Sequence, residues 1–387
     1  MRSFAIVLVC YNRITGLKRL TESLLRASYA GRQDIDLIFS IDNSGSNIVE
    51  EFAKEFEWPN GKKIIRTFEK RQGLKNHILQ CGDFTKQYDI IAVLEDDLMV
   101  SDSFYYYAYQ AADFYWDDDS IAGISLYTFQ KNWLNWHLRF EPMKTGFDSF
   151  FMKVAMSWGQ VWISNKWSKF KIWYEDHKEF TRVDTIPEYL NEWPESSWLK
   201  YHTRYCIEND KYFIYPYTSL STNFSDAGTH ANRTTNDHQV EMQFHKTEYL
   251  FPIYSEDAVV YDEYMDRMHL SKVLNMREDD LTVDFFGTKR QNQYKRFLLS
   301  TEKKDFKIVS KYALSVRPIE AAVILSLEGE GIYLYDTTIN QKNQYPFNPS
   351  YELELYNLRS REFMVFLPLA LKLAVLELLN YLKKKLR

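Results

Sequence analysis

The sequence has few of the residues that mark several common classes of protein. Its 387 residues include only three cysteines, odd in number and far apart, which form neither a disulfide framework nor a zinc site. Glycine occupies 13 positions and proline 10 in a chain that is 45% hydrophobic, which excludes a collagen-like, low-complexity or disordered protein. Positive charge is not in excess, since the net charge is −5, and this argues against a nucleic-acid partner.

Long apolar runs are also missing at the N-terminus. The run Phe4–Cys10 has seven residues, lacks a cleavage site and is followed at once by Tyr11-Asn12-Arg13. It is too short for a secretory signal and is typical of a buried parallel strand. We therefore expect a cytoplasmic protein.

The C-terminal segment 363–387 is apolar but interrupted. Lys372, Glu377 and Pro368 make it a poor membrane-spanning helix, which needs about 20 apolar residues. With the basic end at 383–387, it is expected to form an amphipathic helix. Such a helix either lies on an anionic membrane surface or packs on the protein's own core. If it binds membranes, deleting 363–387 should move the protein to the soluble fraction.

The chain is rich in aromatic residues. They make up 17% of it, and eight of the ten tryptophans lie between Trp133 and Trp198. Aromatic faces suit sugar rings, but aromatic side chains also bury large areas in any core. Trp158 could therefore stack on a sugar or serve as core packing.

Strand and helix patterns alternate in the first hundred residues. Short apolar runs predict strands and leucine spacing predicts helices. The predicted strands are Phe4–Cys10, Asp36–Ile41, Lys63–Thr67 and Asp89–Leu94, and the predicted helices are Gly16–Tyr29, Ile48–Phe56 and Leu74–Cys81. Further on, helices are predicted at Ser103–Trp116 and Pro194–Asn209, and strands at Ile121–Tyr127 and Tyr212–Tyr217. This order predicts an α/β fold with a mostly parallel, Rossmann-like sheet, which binds ligands at the carboxyl ends of its strands.

Three adjacent carboxylates follow the fourth predicted strand. Glu95, Asp96 and Asp97 repel one another, and their desolvation adds to the cost. Mg²⁺ or Mn²⁺ relieves both effects, because these ions bind one or two carboxylates together with phosphate oxygens. The triplet therefore predicts a metal–diphosphate site. Asp117-Asp118-Asp119 instead follows a helix and is interpreted as a solvated loop.

Three segments in order resemble a known family. Phe4–Asn12, Asp42-Asn43-Ser44 and Leu94-Glu95-Asp96-Asp97 are similar to the nucleotide-sugar glycosyltransferases of the GT-A fold, family 2-like. The likeness is greatest to metal-dependent N-acetylglucosaminyltransferases, in which a Glu-Asp-Asp triplet is followed by a helix that starts with Asp-Phe and a second aromatic residue. In this sequence the corresponding segment is Asp102-Ser103-Phe104-Tyr105. The resemblance covers roughly residues 3–245. It implies a nucleotide-sugar-binding half at 1–100, an acceptor-binding half at 101–250 and a C-terminal extension at 251–387.

The resemblance implies roles for the donor side of the site. Asp97 would bind the metal, and Glu95 and Asp96 would contact the ribose and the sugar or a metal-bound water. Asp42 would accept a hydrogen bond from uracil N3–H, and Arg13 would lie near the base and diphosphate. Lys75, with Arg71 and Gly73, would face the diphosphate.

The acceptor side is expected to supply a general base. The resemblance places it at Trp193-Pro194-Glu195-Ser196-Ser197-Trp198, where relatives have an aspartate flanked by tryptophan. Glu195 is the candidate but is displaced by one residue, so Glu192 and Asp184 remain alternatives. His230 could bind the metal, pair with phosphate or be a loop histidine without a role.

The expected protein is a metal-dependent inverting glycosyltransferase that moves a sugar from a UDP-sugar to a glycan hydroxyl. The resemblance suggests N-acetylglucosamine as the sugar and a lipid-linked glycan acceptor at the inner membrane face, in bacterial cell-surface polysaccharide assembly. One alternative is a sugar nucleotidyltransferase, although Val9–Arg13 lacks the glycine that such enzymes use. Another is a non-catalytic glycan-binding or scaffold protein with a decayed site.

Overall fold

A computed structural model shows how these segments fold. It describes residues 1–184, 186–226, 235–255, 257–345 and 352–357, together with 367–368, 370–372, 374–375 and 378. The chain forms two compact units, 1–130 with 142–269 and 131–141 with 270–387. The functional division at residues 100 and 250 stays a prediction.

The strands are short and most are buried. In chain order they are β1 Phe4–Cys10, β2 Ile35–Ile41, β3 Lys63–Thr67, β4 Ile90–Glu95, β5 Leu98–Val100, β6 Ile121–Ser125, β7 Lys131–Asn132, β8 Asn135–Arg139, β9 Ser149–Met152, β10 Gln160–Ile163, β11 Tyr212–Pro216, β12 Ser221–Asn223, β13 Val260–Tyr261, β14 Leu281–Asp284, β15 Phe297–Ser300, β16 Phe306–Ala313 and β17 Gly331–Asn340. The helices are α1 Ile14–Arg26, α2 Ile48–Glu55, α3 Leu74–Gly82, α4 Phe104–Phe114, α5 Ser164–Asp176, α6 Glu188–Glu192, α7 Leu199–Glu208, α8 Ala321–Ile324 and α9 Glu352–Asn357.

Within the described residues, the first unit is built on a nine-stranded sheet in the order β13-β9-β11-β6-β10-β4-β1-β2-β3. The strands β3, β2, β1 and β4 run parallel, with Cys10 opposite Ile41 and Val9 opposite Glu95. This register brings the carboxyl ends of β1, β2 and β4 to one edge. The predicted α/β fold with a mostly parallel sheet flanked by helices is confirmed.

Several predicted boundaries shift for local reasons. Helix α1 begins at Ile14 rather than Gly16, because the Leu17 amide already bonds to the Arg13 carbonyl. Helix α7 begins at Leu199 rather than Pro194, because residues 194–197 form a separate turn closed by the Ser197 amide. The strands β9 and β10 were not predicted, since each is a buried run of only four residues, too short to show a period.

The tryptophan-rich stretch contributes to the core of the first unit. Trp162 and Trp167 are buried and stack with ring centroids 3.9 Å apart. The ring of His202 lies 4.2 Å from that of Phe170 and is fully buried. Neither nitrogen of His202 has a hydrogen-bond partner in the part of the chain that the structure describes. Burial lowers the pKa of His202 to about 3, so the ring is neutral in the folded protein.

We expect the free energy of unfolding of His202→Phe to fall less steeply between pH 7 and pH 5 than that of the wild-type protein. An unfolded histidine has a pKa of about 6.5, so between that pH and about 3 the unfolded chain binds the extra proton. The wild-type protein then loses stability as pH falls, by about 1.4 kcal/mol per pH unit from this residue alone. Urea unfolding at pH 7, 6 and 5 should show that contribution missing in the variant. His245→Phe, at an exposed histidine, is the control, and equal slopes for wild type and His202→Phe would refute the assignment. Comparing slopes cancels any constant packing cost of the larger ring.

The second unit contains a four-stranded sheet in the order β14-β15-β17-β16, whose core includes Leu298, Tyr333 and Tyr335. The short pair β7 and β8 belongs to the same unit. None of the helices in the described ranges is long and apolar enough to cross a membrane. Much of the predicted helix at 363–387 lies outside the described residues, but Leu367, Leu371, Val375 and Leu378 are exposed.

Candidate active site

The acidic triplet lies where β4 ends and the chain turns toward β5. Glu95 is the last residue of β4, and Asp96 and Asp97 form the turn that follows. Asp96 and Asp97 are only 2% and 8% exposed. Two carboxylates buried in one turn need a cation or several hydrogen bonds, because desolvation penalises their charged forms.

Arg13 supplies one cation to the triplet. Its Nε donates to Asp96 Oδ1 at 2.7 Å, and its Nη1 donates to Asp97 Oδ2 at 2.9 Å. The Tyr11 amide donates to the other oxygen of Asp96 at 3.3 Å. Burial still raises the pKa of Asp96 to about 6, although Arg13 opposes the shift. Burial, and then the charge of Asp97, raise the pKa of Glu95 to about 8. One arginine therefore offsets only part of the cost of burying the triplet.

Only one of the two carboxylate oxygens of Asp97 is bonded to Arg13. Its Oδ1 is buried and has no hydrogen-bond partner among the described residues, while Oδ2 is bound to Arg13. A buried carboxylate oxygen without a donor is costly unless a ligand binds it. Mg²⁺ and Mn²⁺ suit such an oxygen, because they use one or two protein carboxylates and take their other ligands from phosphates and water. The described residues contain no cluster of three metal-binding side chains.

Asp42 lies at the end of β2 and anchors a loop. Its carboxylate is buried and accepts hydrogen bonds from the amides of Asn43 and Gln72, at 2.8 and 2.7 Å, and of Gly73 at 3.0 Å. These bonds fix the chain just before α3. The predicted contact of Asp42 with uracil stays a prediction, and the side chain already has a structural role.

The two cations of the 71–75 segment lie against tyrosines. The guanidinium of Arg71 lies 5.1 Å from the centre of the Tyr11 ring, next to the residue whose amide binds Asp96. The Nζ of Lys75 lies 4.9 Å from the centre of the Tyr201 ring and 3.5 Å from its hydroxyl. Within the described part of the chain, Lys75 makes no hydrogen bond or ion pair with the acidic triplet. Arg71 therefore lies beside Tyr11, whose amide bonds to the triplet, whereas Lys75 lies beside Tyr201.

The candidate bases all lie on the surface. Glu195 is exposed in the turn before α7, where its charge acts on Lys200 and Tyr201. Glu192 ends α6 and is exposed. Asp184 is exposed, with its carboxylate 3.7 Å from Arg182. The choice among the three stays open.

Trp158 packs in an aromatic cluster. Its ring is partly buried, 4.8 Å from Tyr127 and 4.4 Å from His238 between centroids. Its carbonyl accepts a hydrogen bond from Ser221 at 2.6 Å, in the strand β12 that pairs with β5. Trp158 therefore borders the strand pair that follows the triplet, and stacking on a sugar stays a prediction. His230 lies outside the described residues.

Sequence reasoning missed two residues beside the triplet, Arg19 and Asp226. Arg19 on α1 donates to the backbone carbonyl of Asp97 at 3.3 Å and forms an ion pair with Asp226. The Phe224 amide bonds to the same carbonyl at 3.1 Å. A side chain at Gly16 would come within 2.5 Å of the Asp96 carbonyl, so this helix position must be small. Asp226 and Arg19 are 207 residues apart, and no local pattern connects them.

Comparison with known proteins shows which family the first part of the chain resembles. Residues 5–172 match the family described as glycosyl transferase family 2. This match covers β1 to α5 and includes the acidic triplet and Arg13. Residues 5–172 therefore resemble a family 2 glycosyltransferase domain, and the resemblance to GT-A nucleotide-sugar glycosyltransferases found in the sequence is confirmed.

Three solved structures are reported as similar to part of this chain. They are S. aureus TarS residues 1–349, with 11% identity and a TM-score of 0.35; the mannosyltransferase PcManGT from Pyrobaculum calidifontis in complex with GDP-Man and Mn²⁺, with 11% identity and a TM-score of 0.35; and GalNAc-T7 with UDP, GalNAc and Mn²⁺, with 14% identity and a TM-score of 0.36. The matches cover 57%, 56% and 57% of this chain and 60%, 57% and 43% of those chains, less than two thirds in each case. No curated protein matches the sequence.

Proposed function

We propose that the protein is a metal-dependent glycosyltransferase that transfers a sugar from a nucleotide-sugar donor to a glycan hydroxyl. The observation that supports this most is the buried, unpartnered Oδ1 of Asp97 at the carboxyl edge of the parallel sheet, inside the region of the family match. A binding protein with a decayed site would have no need to keep this costly arrangement.

Arg13 and Asp97 define the donor end of the proposed reaction. Arg13 holds Asp96 and Asp97 in one orientation, so the remaining oxygen of Asp97 is fixed in place. Asp97 would hold the divalent cation, which supplies charge stabilisation for the leaving nucleoside diphosphate. The Arg19 guanidinium and Phe224 amide fix the Asp97 backbone and so reduce the freedom of the same turn.

The transfer step needs a base and an acceptor hydroxyl. The hydroxyl oxygen would form a bond to the anomeric carbon while the bond from that carbon to the diphosphate oxygen breaks. The hydroxyl proton would pass to a carboxylate, with Glu195 proposed first and Glu192 or Asp184 as alternatives. Attack from the face opposite the leaving group inverts the configuration.

The finer identity of the substrates also belongs to the proposal. We propose UDP as the nucleotide, N-acetylglucosamine as the sugar, and a lipid-linked glycan of a bacterial cell-surface polysaccharide as the acceptor, at the cytoplasmic membrane face. The exposed Leu367, Leu371, Val375 and Leu378, four or three residues apart, support an apolar helix stripe beside the basic C-terminal end. Release from the membrane on deletion of 363–387 stays the predicted outcome.

Calorimetric titration tests the donor class and the metal together. We expect UDP to bind in the presence of Mn²⁺, with at least tenfold weaker binding in EDTA, because the diphosphate and Asp97 share the ion. GDP and CDP are the controls for the base. Absence of binding by all three nucleotides to a folded sample would overturn the proposed function.

A further inference from the structure

A groove between α3 and α5 has a cationic lining. It is an open groove of about 320 Å³, lined by Lys75, Asn76, Leu79 and Gln80 of α3, by Lys171 and Tyr174 of α5, and by Lys178 just beyond α5. Lys171 and Tyr174 are three residues apart on one face of α5, and Lys178 lies just beyond the end of that helix. No carboxylate is among the described residues that line this groove, which we call the lysine groove.

The charges around the lysine groove are only partly compensated. Lys178 pairs with Glu175, and Lys171 Nζ lies 3.6 Å from Asp83 Oδ1. The Lys178–Glu175 pair is more than half exposed, and exposed pairs contribute little and yield to a competing anion. Lys75 has no carboxylate partner within ion-pair distance in the described ranges and only contacts Tyr201. The three lysines of the groove therefore have only two carboxylate partners, Glu175 and Asp83.

The chemistry of this lining favours a phosphate. Lysine ammonium groups bind phosphate as point charges, and the side-chain amides of Asn76 and Gln80 add neutral donors. A volume of about 320 Å³ is at the lower end of ligand pockets and holds a phosphate with part of an attached sugar. A neutral glycan could accept hydrogen bonds from the ammonium groups, but only an anion also gains from their three positive charges.

The groove also adjoins the expected acceptor side. Lys75 contacts Tyr201, and the charge of Glu195 acts on both Tyr201 and the neighbouring Lys200. We propose that the lysine groove binds a phosphate group carried by the acceptor glycan. That the groove binds an anion does not depend on the proposed transferase function, whereas the assignment of that anion to the acceptor rests on it.

The anion site is tested with the full-length protein and inorganic tripolyphosphate, by calorimetry in EDTA. The groove variant Lys171→Gln/Lys178→Gln should bind at least tenfold more weakly than wild type. The matched control is Lys54→Gln/Lys169→Gln, which removes the same charge and two ion pairs outside the groove, with Glu50 and Asp119. We expect less than a twofold change in this control. Equal weakening in both double variants would overturn the groove as a specific site.

Two further arms separate the sources of the anion. Asp97→Asn should bind tripolyphosphate like wild type. Tighter binding confined to that variant would place the anion at the donor site, because without metal the Asp97 carboxylate repels a polyanion, and would overturn the proposal. In transferase assays, the groove variant should raise the KM for a phosphate-bearing acceptor at least tenfold while leaving the KM for the nucleotide sugar and for a neutral acceptor unchanged. A raised KM for the nucleotide sugar instead would overturn the acceptor assignment. If UDP does not bind in the earlier titration, the proposed transferase function is wrong. The tripolyphosphate titration would still show whether the groove binds an anion.

Discussion

Asp97→Asn is expected to lower kcat/KM for sugar transfer by at least about 100-fold, which corresponds to roughly 3 kcal/mol of transition-state stabilisation. Asparagine keeps the size of the side chain, and its carbonyl oxygen can still accept from Arg13. It removes the negative charge of the oxygen that has no protein partner. UDP binding should become weak and insensitive to Mn²⁺, as calorimetry in Mn²⁺ and in EDTA would show.

The matched control for Asp97 is Asp117→Asn. Asp117 is exposed and belongs to an acidic triplet that follows a helix rather than a strand. The two variants change charge equally, so the control should keep wild-type activity and Mn²⁺ dependence. Unfolding curves establish that both variants are folded. A folded Asp97→Asn protein with unchanged Mn²⁺-dependent UDP binding would show that the metal lies elsewhere.

Arg13→Met is expected to destabilise the fold by about 3 kcal/mol. The substitution removes the cation that bonds to both Asp96 and Asp97, and their side chains are only 2% and 12% exposed. Breaking a buried pair from one side leaves the other charge uncompensated, which typically costs 3–5 kcal/mol. Urea unfolding at pH 7 measures the loss directly.

Two further variants make the Arg13 result specific. Arg13→Lys should recover only part of the loss, because an ammonium lacks the planar fork that bonds to two carboxylates at once. Arg182→Met removes an arginine that pairs with Glu188 but is 58% exposed, so its cost should stay below about 1 kcal/mol. Equal stability of Arg13→Met and Arg182→Met would show that Arg13 is dispensable for the buried triplet.

The contrast between β1 and the pair β9 and β10 shows how far sequence patterns reach. The bounds of β1 and β3 were predicted correctly. The strand β1 is an apolar run followed by polar residues, so it can be recognised without a distant partner. The strands β9 and β10 are too short to show a period, and they become strands by pairing with β11, β4 and β6. Their structure depends on which neighbours the chain brings beside them.

In the candidate site, too, some features can be predicted from the sequence and others cannot. The acidic triplet and Arg13 could be found in the sequence, because each directly follows a predicted strand of a parallel sheet. That Arg13 bonds to the triplet, and that one oxygen of Asp97 stays unpartnered, could not be found. Those facts depend on side-chain orientation, which has no periodicity in the chain.

The sequence by itself determined the alternating strand and helix order of the first hundred residues and the position of the acidic triplet at a strand end. These are local properties, because burial on both faces of a parallel strand demands a continuous apolar run. Only the tertiary structure decided that Arg19 meets Asp226, that Asp42 holds the loop before α3, and that Lys75 lies with Lys171 and Lys178 in one groove. Such contacts join residues distant in the chain, and the packing of helices and strands in three dimensions is what brings them together.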